Sequence, residues 1–217
     1  MMEKRNDIDY LIFDLDGTLL DTALYIVLNY VHLFEKYHIK TPSLTDFVYF
    51  SGPPLTEIFA TYFKGIPVEE LAQEFENFSL EHANHFSSLY EGEKEVLSKL
   101  KKVGYRLAVL TSKRRRPTMD NLSYFDILKD FDDILALEEY PRPKPDPVGI
   151  DILLEKTGMK RERTFIIGDS ASDILCGKNA HVHTGLVTFG LKKTQDIPAE
   201  ERYASYADIE RSFIHER

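Results

Sequence analysis

Ile8-Asp-Tyr-Leu-Ile-Phe-Asp14-Leu-Asp16-Gly-Thr-Leu-Leu-Asp21 is the stretch from which the rest of the chain can be read. Tyr10 to Phe13 is a short apolar run, as expected of a buried strand. Asp14 and Asp16 follow at once. Gly17 allows a sharp departure from the strand, and the Thr18 hydroxyl is expected to fix the turn. Two carboxylates in one pocket repel each other and lose hydration, so their pairing needs a cause. A divalent cation supplies one. Magnesium prefers oxygen ligands and keeps several of its waters, so a few protein oxygens suffice. The plainer alternative is an acidic surface turn, but Asp-x-Asp-Gly-Thr directly after an apolar run is far more specific than that.

Further along, four more apolar runs read as buried parallel strands: Arg106 to Leu110, Asp133 to Leu137, Thr164 to Ile167 and Gly185 to Phe189. Helical patterns lie between the later ones. From Glu93 to Val103, the residues Val96, Leu97, Leu100 and Val103 share one face, and Gly104 supplies a stop. Asp146-Pro147 reads as an N-cap followed by proline at the first helical position. That helix turns Ile150, Leu153 and Leu154 inward and ends at Gly158. Strands alternating with helices predict an α/β fold, a doubly wound (Rossmann-like) parallel sheet whose ligands sit beyond the carboxyl ends of the strands.

The alternation breaks between Leu20 and about Ser87. Here the pattern is helical, with Leu24, Val27, Leu28, Val31 and Phe34 spaced for one buried face. A second helix is expected from about Val68 into the His82–His85 region, and Ser51-Gly-Pro-Pro-Leu55 between them is a turn by composition. The expected division is a catalytic core of residues 1–19 and 88–217 with an inserted small helical cap at 20–87. Such a cap would form a lid hinged near Leu20 to Thr22 and near Ser87 to Gly92. Gly52 in the Gly-Pro-Pro turn is the expected point of close approach to a ligand.

The chain has 217 residues and 43% hydrophobic residues, enough for one domain with a sizeable insertion. A net charge of −9 and a pI near 5.3 argue against nonspecific nucleic-acid binding, which needs basic surface. The single cysteine, Cys176, allows no internal disulfide and fits a reducing compartment. No run approaches membrane-spanning length, and the first apolar run meets Asp14 too soon to be a signal-peptide core. The expectation is a cytoplasmic protein with no membrane partner, monomeric or dimeric.

Four motifs, in order, resemble those of the haloacid dehalogenase-like hydrolase superfamily: Asp14-Leu-Asp-Gly-Thr-Leu-Leu-Asp21, Leu110-Thr-Ser-Lys113, Lys144-Pro-Asp-Pro147 and Ile167-Gly-Asp-Ser-Ala-Ser-Asp173. The helical block also stands where that family places its small cap, and the cap with its Phe50-Ser-Gly-Pro-Pro-Leu55 turn is similar to the phosphoglycolate phosphatase-like branch. The resemblance implies a magnesium-dependent phosphatase acting on a small phosphorylated metabolite. It implies Asp14 as the nucleophile, forming an aspartyl-phosphate, and Asp16 as the acid and base. Thr111 and the backbone around Ser112 would hold phosphoryl oxygens, with Leu15, Asp16 and Gly52 also at the substrate. Lys144 would balance the charge on Asp14. The metal would take Asp14, the Asp16 carbonyl, Asp169 and Asp173, the last directly or through water.

Several signals are set aside. Lys113 to Arg116 read as a solvated basic run, and Cys176 as a buried small side chain. His181 and His183 do not suit a magnesium site. The family usually has glycine where His181 stands, which leaves that loop's geometry open. Within the superfamily, a phosphomutase of the beta-phosphoglucomutase type and an inorganic pyrophosphatase are the alternatives. A dehalogenase would lack the second aspartate. A binding relative without catalysis ranks below these, because every motif residue needed for turnover is present.

Overall fold

The computed structural model describes residues 2–43, 46–50, 55–190, 192 and 194–216. Contacts divide the chain into two compact units, Met1–Asp21 with Leu89–Arg217, and Thr22–Ser88. In the first unit the strands of the main sheet are β1 (Tyr10–Phe13), β2 (Arg106–Leu110), β3 (Asp133–Leu135), β4 (Thr164–Gly168), β5 (His183–Val187) and β6 (Glu201–Tyr203). They form one parallel sheet in the order β3-β2-β1-β4-β5-β6. The chain starts in the middle, builds outward through β2 and β3, then returns to the other side of β1 with β4. That reversal makes the carboxyl ends of β1 and β4 the switch point where such sheets bind ligands.

Alternation along each strand sorts the core into two layers. Leu11, Phe13, Leu107, Val109, Phe165 and Ile167 face one way. They pack against Val96, Leu97 and Leu100 of α4 (Glu93–Lys102), Leu122 of α5 (Arg115–Tyr124) and Tyr206, Ile209 and Phe213 of α8 (Tyr206–Phe213). Tyr10, Ile12, Ala108, Leu110 and Ile166 face the other way, onto Ile150, Leu153 and Leu154 of α6 (Val148–Thr157) and Cys176 of α7 (Ala171–Asn179). Each such side chain contributes about 1.5–3 kcal/mol on burial. The sheet edge is where the sequence reading falls short. β5 begins and ends two residues earlier than expected. The three-residue β6, paired Gly185 to Glu201, carries too short a pattern to register as a strand. Helix α6 starts one residue after Pro147, but the Asp146 carboxylate still accepts from Val148 N at 3.0 Å.

The second unit contains α1 (Ala23–Lys36), α2 (Leu55–Tyr62) and α3 (Val68–Phe86). The buried face of α1 is rotated from the aliphatic stripe expected. Tyr25, Asn29, Tyr30, Leu33 and Phe34 are buried, while Leu24 is 57% exposed and Val27 and Val31 are only partly covered. The reason is aromatic packing. Tyr30 meets Phe50 edge-on with centroids 4.8 Å apart, and Phe34 stacks on Phe63 at 4.7 Å. Large rings bury more area than the aliphatic side chains they displace. Asn29 can join this face because its amide donates to Phe75 O at 3.0 Å and to Ser79 Oγ at 3.1 Å. The turn holding Gly52 lies outside the described residues.

Candidate active site

The site is assembled by strand register. Phe13 pairs with Val109 on one side and Ile167 on the other, so the residues that follow the three strands emerge side by side. Asp14 N donates to Ile167 O at 2.9 Å, and Thr111 N to Leu135 O at 3.1 Å. Asp14, Thr111 and Asp169 are thus placed at adjoining strand ends by the sheet itself.

Beyond Asp14 the chain folds back tightly. Gly17 N donates to Leu20 O at 2.7 Å, and Leu19 N and Leu20 N both donate to Leu15 O. Gly17 has φ +86°, and a Cβ built there would stand 2.1 Å from Asp169 Oδ2. Glycine is required twice over, by conformation and by space. The Thr18 hydroxyl does not fix this turn. It is buried without a hydrogen-bond partner among the described residues, and the backbone bonds hold the turn instead. Tyr206 adds an anchor from α8, its hydroxyl donating to Thr18 O at 2.8 Å.

Lys144 is the centre of the charge arrangement. Its ammonium donates to Asp14 Oδ1 and Asp173 Oδ1, both at 2.6 Å, and to Leu110 O at 3.1 Å. Asp173 is further held by a capping box at the start of α7, where Ser170 N and Oγ both donate to its Oδ2. Burial pushes the Asp14 carboxyl up to about 7, against the pull of Lys144. Burial likewise pushes Asp169 up, to about 6, against Lys192. Asp173 is the exception: burial opposes its charge, but Lys144 outweighs it and holds the group below the usual carboxylate range. Burial also opposes the Lys144 ammonium, yet Asp14 and Asp173 keep it well above its ordinary value.

Asp14, Asp169 and Asp173 offer carboxylate oxygens all within 4.8 Å of one another, and all three are buried. Three hard oxygen donors with no thiol or imidazole among them suit magnesium chemistry. The donor set therefore fits the ion that the motifs imply.

The remaining expected residues are placed as follows. Asp16 stands outside the three-carboxylate cluster; its side chain is part-exposed and accepts from Lys113 Nζ at 2.9 Å. Leu15 buries its side chain in the core, so any ligand contact it makes is through backbone. Thr111 is buried, and its Oγ1 accepts from Lys113 N at 3.1 Å. Ser112 is exposed just past the strand end, and Tyr140 supports the loop by donating to Thr111 O at 2.8 Å.

Two lysines escape the sequence reading. Lys113, read there as part of a solvated run, is 8% exposed in its side chain and turned onto Asp16. Lys192 lies beyond β5 and donates to Asp169 Oδ1 at 2.9 Å, with 2.8 Å to Oδ2. Its signal would have been positional, a lysine a few residues past the carboxyl end of a core strand.

Residues 11–187 match the haloacid dehalogenase-like hydrolase family. The chain belongs to that family. Within it, the chain is 34% identical over 186 residues to a pyrophosphatase PpaX of Halalkalibacterium halodurans, covering 86% of each protein. The haloacid dehalogenase-like fold is shared with a family hydrolase of known structure from Streptococcus pneumoniae, at TM-score 0.87 and 22% identity over 96% of this chain and 99% of the other. A predicted phosphoglycolate phosphatase from Haemophilus somnus also has this fold, at TM-score 0.82 and 23% identity over 95% and 98% of the two chains.

Against the haloacid dehalogenase-like pattern the peripheral residues are now placed. His181 adopts φ +57°, the left-handed conformation that glycine takes at no cost and a side chain with a Cβ takes only with strain. His183 pairs with Glu200 at 2.7 Å and stacks on Phe165. Cys176 is buried, donates to Asp146 O, and has its thiol pushed up to about 12 by burial. Arg115 is drawn onto Glu138 and Glu139 at the surface. Among the described residues no helix is long and apolar enough to cross a membrane.

Proposed function

We propose that the chain is a magnesium-dependent phosphatase that transfers a phosphoryl group from a small phosphate ester to Asp14. The observation that carries this is Lys144 bridging Asp14 and Asp173 with Asp169 alongside, at the carboxyl end of the central strand. Asp14, Asp169, Asp173 and the Asp16 carbonyl would hold the magnesium, which supplies positive charge to the phosphoryl oxygens.

The chain's own groups then divide the work. The Asp14 carboxylate attacks phosphorus, and the bond from phosphorus to the leaving oxygen breaks as Asp16 delivers a proton to that oxygen. Water next attacks phosphorus while Asp16 takes its proton, the acyl-phosphate bond breaks, and Asp14 is restored. Thr111 and the backbone near Leu15 and Ser112 bind phosphoryl oxygens. Lys144 spans nucleophile and phosphate, so negative charge building in the transition state meets a fixed cation rather than reorganising water. The helical block at 20–87 as a substrate-selecting cap, with Gly52 in its turn, belongs to the same reading and rests on the family resemblance.

Inorganic pyrophosphate is the second substrate reading, supported by the likeness to a relative named pyrophosphatase. A panel of pyrophosphate, phosphoglycolate, nucleoside monophosphates and sugar phosphates, assayed with and without chelator, separates the readings. Asp14→Asn should abolish turnover on every member and leave the fold intact. Near-parental activity in that variant would overturn the covalent mechanism.

A further inference from the structure

Each carboxylate at this site except one is held by a group from the four motifs. Asp14 and Asp173 share Lys144, and Asp16 takes Lys113. Asp169 is held from elsewhere, by Lys192, whose ammonium reaches both carboxylate oxygens at 2.9 and 2.8 Å. Asp169 is 2% exposed and belongs to the three-carboxylate cluster, so the ammonium rests on the carboxylate that a metal there would also draw on. A divalent ion drawing on an Asp169 oxygen would repel the Lys192 ammonium at contact distance, so the two cations compete for that carboxylate. Nothing on Asp169's other flank yields, because the Gly17 turn packs so closely that even a Cβ would collide with Oδ2.

We propose that Lys192 is an internal counter-cation of the metal site, which holds Asp169 in the metal-free chain and leaves it when a divalent ion binds. The proposal rests on the metal reading given above. Its physical content is an exchange. Without a cation, Asp169 would sit buried beside two further carboxylates, an arrangement that an uncompensated charge strongly disfavours. Lys192 removes that cost in the metal-free chain and thereby weakens metal binding, since the two cations compete for the same oxygens. The released ammonium is then free to meet an anion at the same strand ends. Position supports the exchange. Lys192 itself lies past β5 and in no strand, whereas Lys144 is pinned between two carboxylates and a carbonyl.

Magnesium binding, followed by calorimetry, and melting temperature with and without magnesium test this without recourse to activity. The proteins compared are the parental chain, Lys192→Met, Lys192→Arg and Lys113→Met. Lys192→Met should bind magnesium roughly tenfold more tightly than the parental chain, a coupling of ordinary size for linked sites. Lys192→Arg should stay within about threefold of parental, since it keeps a competing cation. Metal-free Lys192→Met should melt below the parental chain, and saturating magnesium should erase the difference. Equal tightening in Lys113→Met would mean that only net charge matters, and would overturn the exchange. So would unchanged affinity in Lys192→Met, or a melting deficit that persists at saturating magnesium. Absence of magnesium binding in the parental chain would overturn the metal reading as well, which distinguishes the two failures.

Discussion

The Lys113 ammonium donates to the Asp16 carboxylate at 2.9 Å, joining the strand end after β2 to the turn after β1. Lys113 is nearly covered while Asp16 keeps 27% of its side chain exposed, so the pair points the carboxylate rather than burying it. If Asp16 moves the proton, Lys113 acts through it. Asp16→Asn should lower kcat about 100-fold or more, the scale of a lost general acid. Lys113→Met should lower it roughly tenfold through misplacement. The double variant should be no slower than Asp16→Asn alone, because residues acting as a unit are not additive. Steady-state kinetics on an alkyl phosphate, whose leaving alkoxide needs the proton, measure this, and multiplied losses would show that Lys113 acts independently.

The oxygen-only donor set has a direct consequence for metal choice. Chelation and dialysis should silence turnover, and magnesium should restore it. Calcium should bind the same oxygens but inhibit, because its larger and less regular shell does not hold the octahedral arrangement that magnesium imposes. Full activity after exhaustive chelation would remove the metal from the mechanism.

Glu93 opens α4 fully buried, accepting a hydrogen bond from Tyr90 N at 3.1 Å, with its other oxygen unpartnered among the described residues. Burial pushes its carboxyl up from an ordinary 4.5 to about 9. Folded chains therefore hold a proton there that unfolded chains release between those values. Stability from this group is complete below pH 4.5 and is lost as pH rises toward 9. Glu93→Gln, the isostere of the protonated form, should raise the urea midpoint at pH 8 and leave it nearly unchanged at pH 4.5. An equal shift at both pH values would mean that packing, not ionisation, governs the site.

His181 carries its left-handed φ on an exposed loop with its ring outside the core. Replacing it with glycine should stabilise the chain by about 1 kcal/mol, the cost of that conformation for a side chain with Cβ. Thermal or denaturant unfolding of His181→Gly reads the gain directly. A loss of stability would show that the ring makes a contact worth more than the strain.

How far each feature can be read from the chain follows from how locally it is caused. That Asp14, Thr111 and Asp169 stand at neighbouring strand ends could be read from the sequence, because each follows an apolar strand and parallel strands bring their carboxyl ends to one edge. Lys144 was legible only through the family's motif, since a lysine in a Pro-rich loop carries no signal of its own. The buried face of α1 misled because spacing alone favours the aliphatic stripe. Tyr25, Tyr30 and Phe34 win it through partners such as Phe50, Phe63 and Phe75 that lie distant in the chain.

Taken by itself, the sequence determined the doubly wound core and the strand ends at which the motif aspartates stand, because hydrophobic period and turn chemistry act over a few residues. Only the tertiary structure decided which cation holds which carboxylate. Lys113 reaches Asp16 and Lys192 reaches Asp169 across long stretches of chain, and β6 closes the sheet on three residues. Long flexible side chains leave no periodic trace. Their partners are chosen by where burial makes an unpaired charge most costly, and that is a property of the assembled fold.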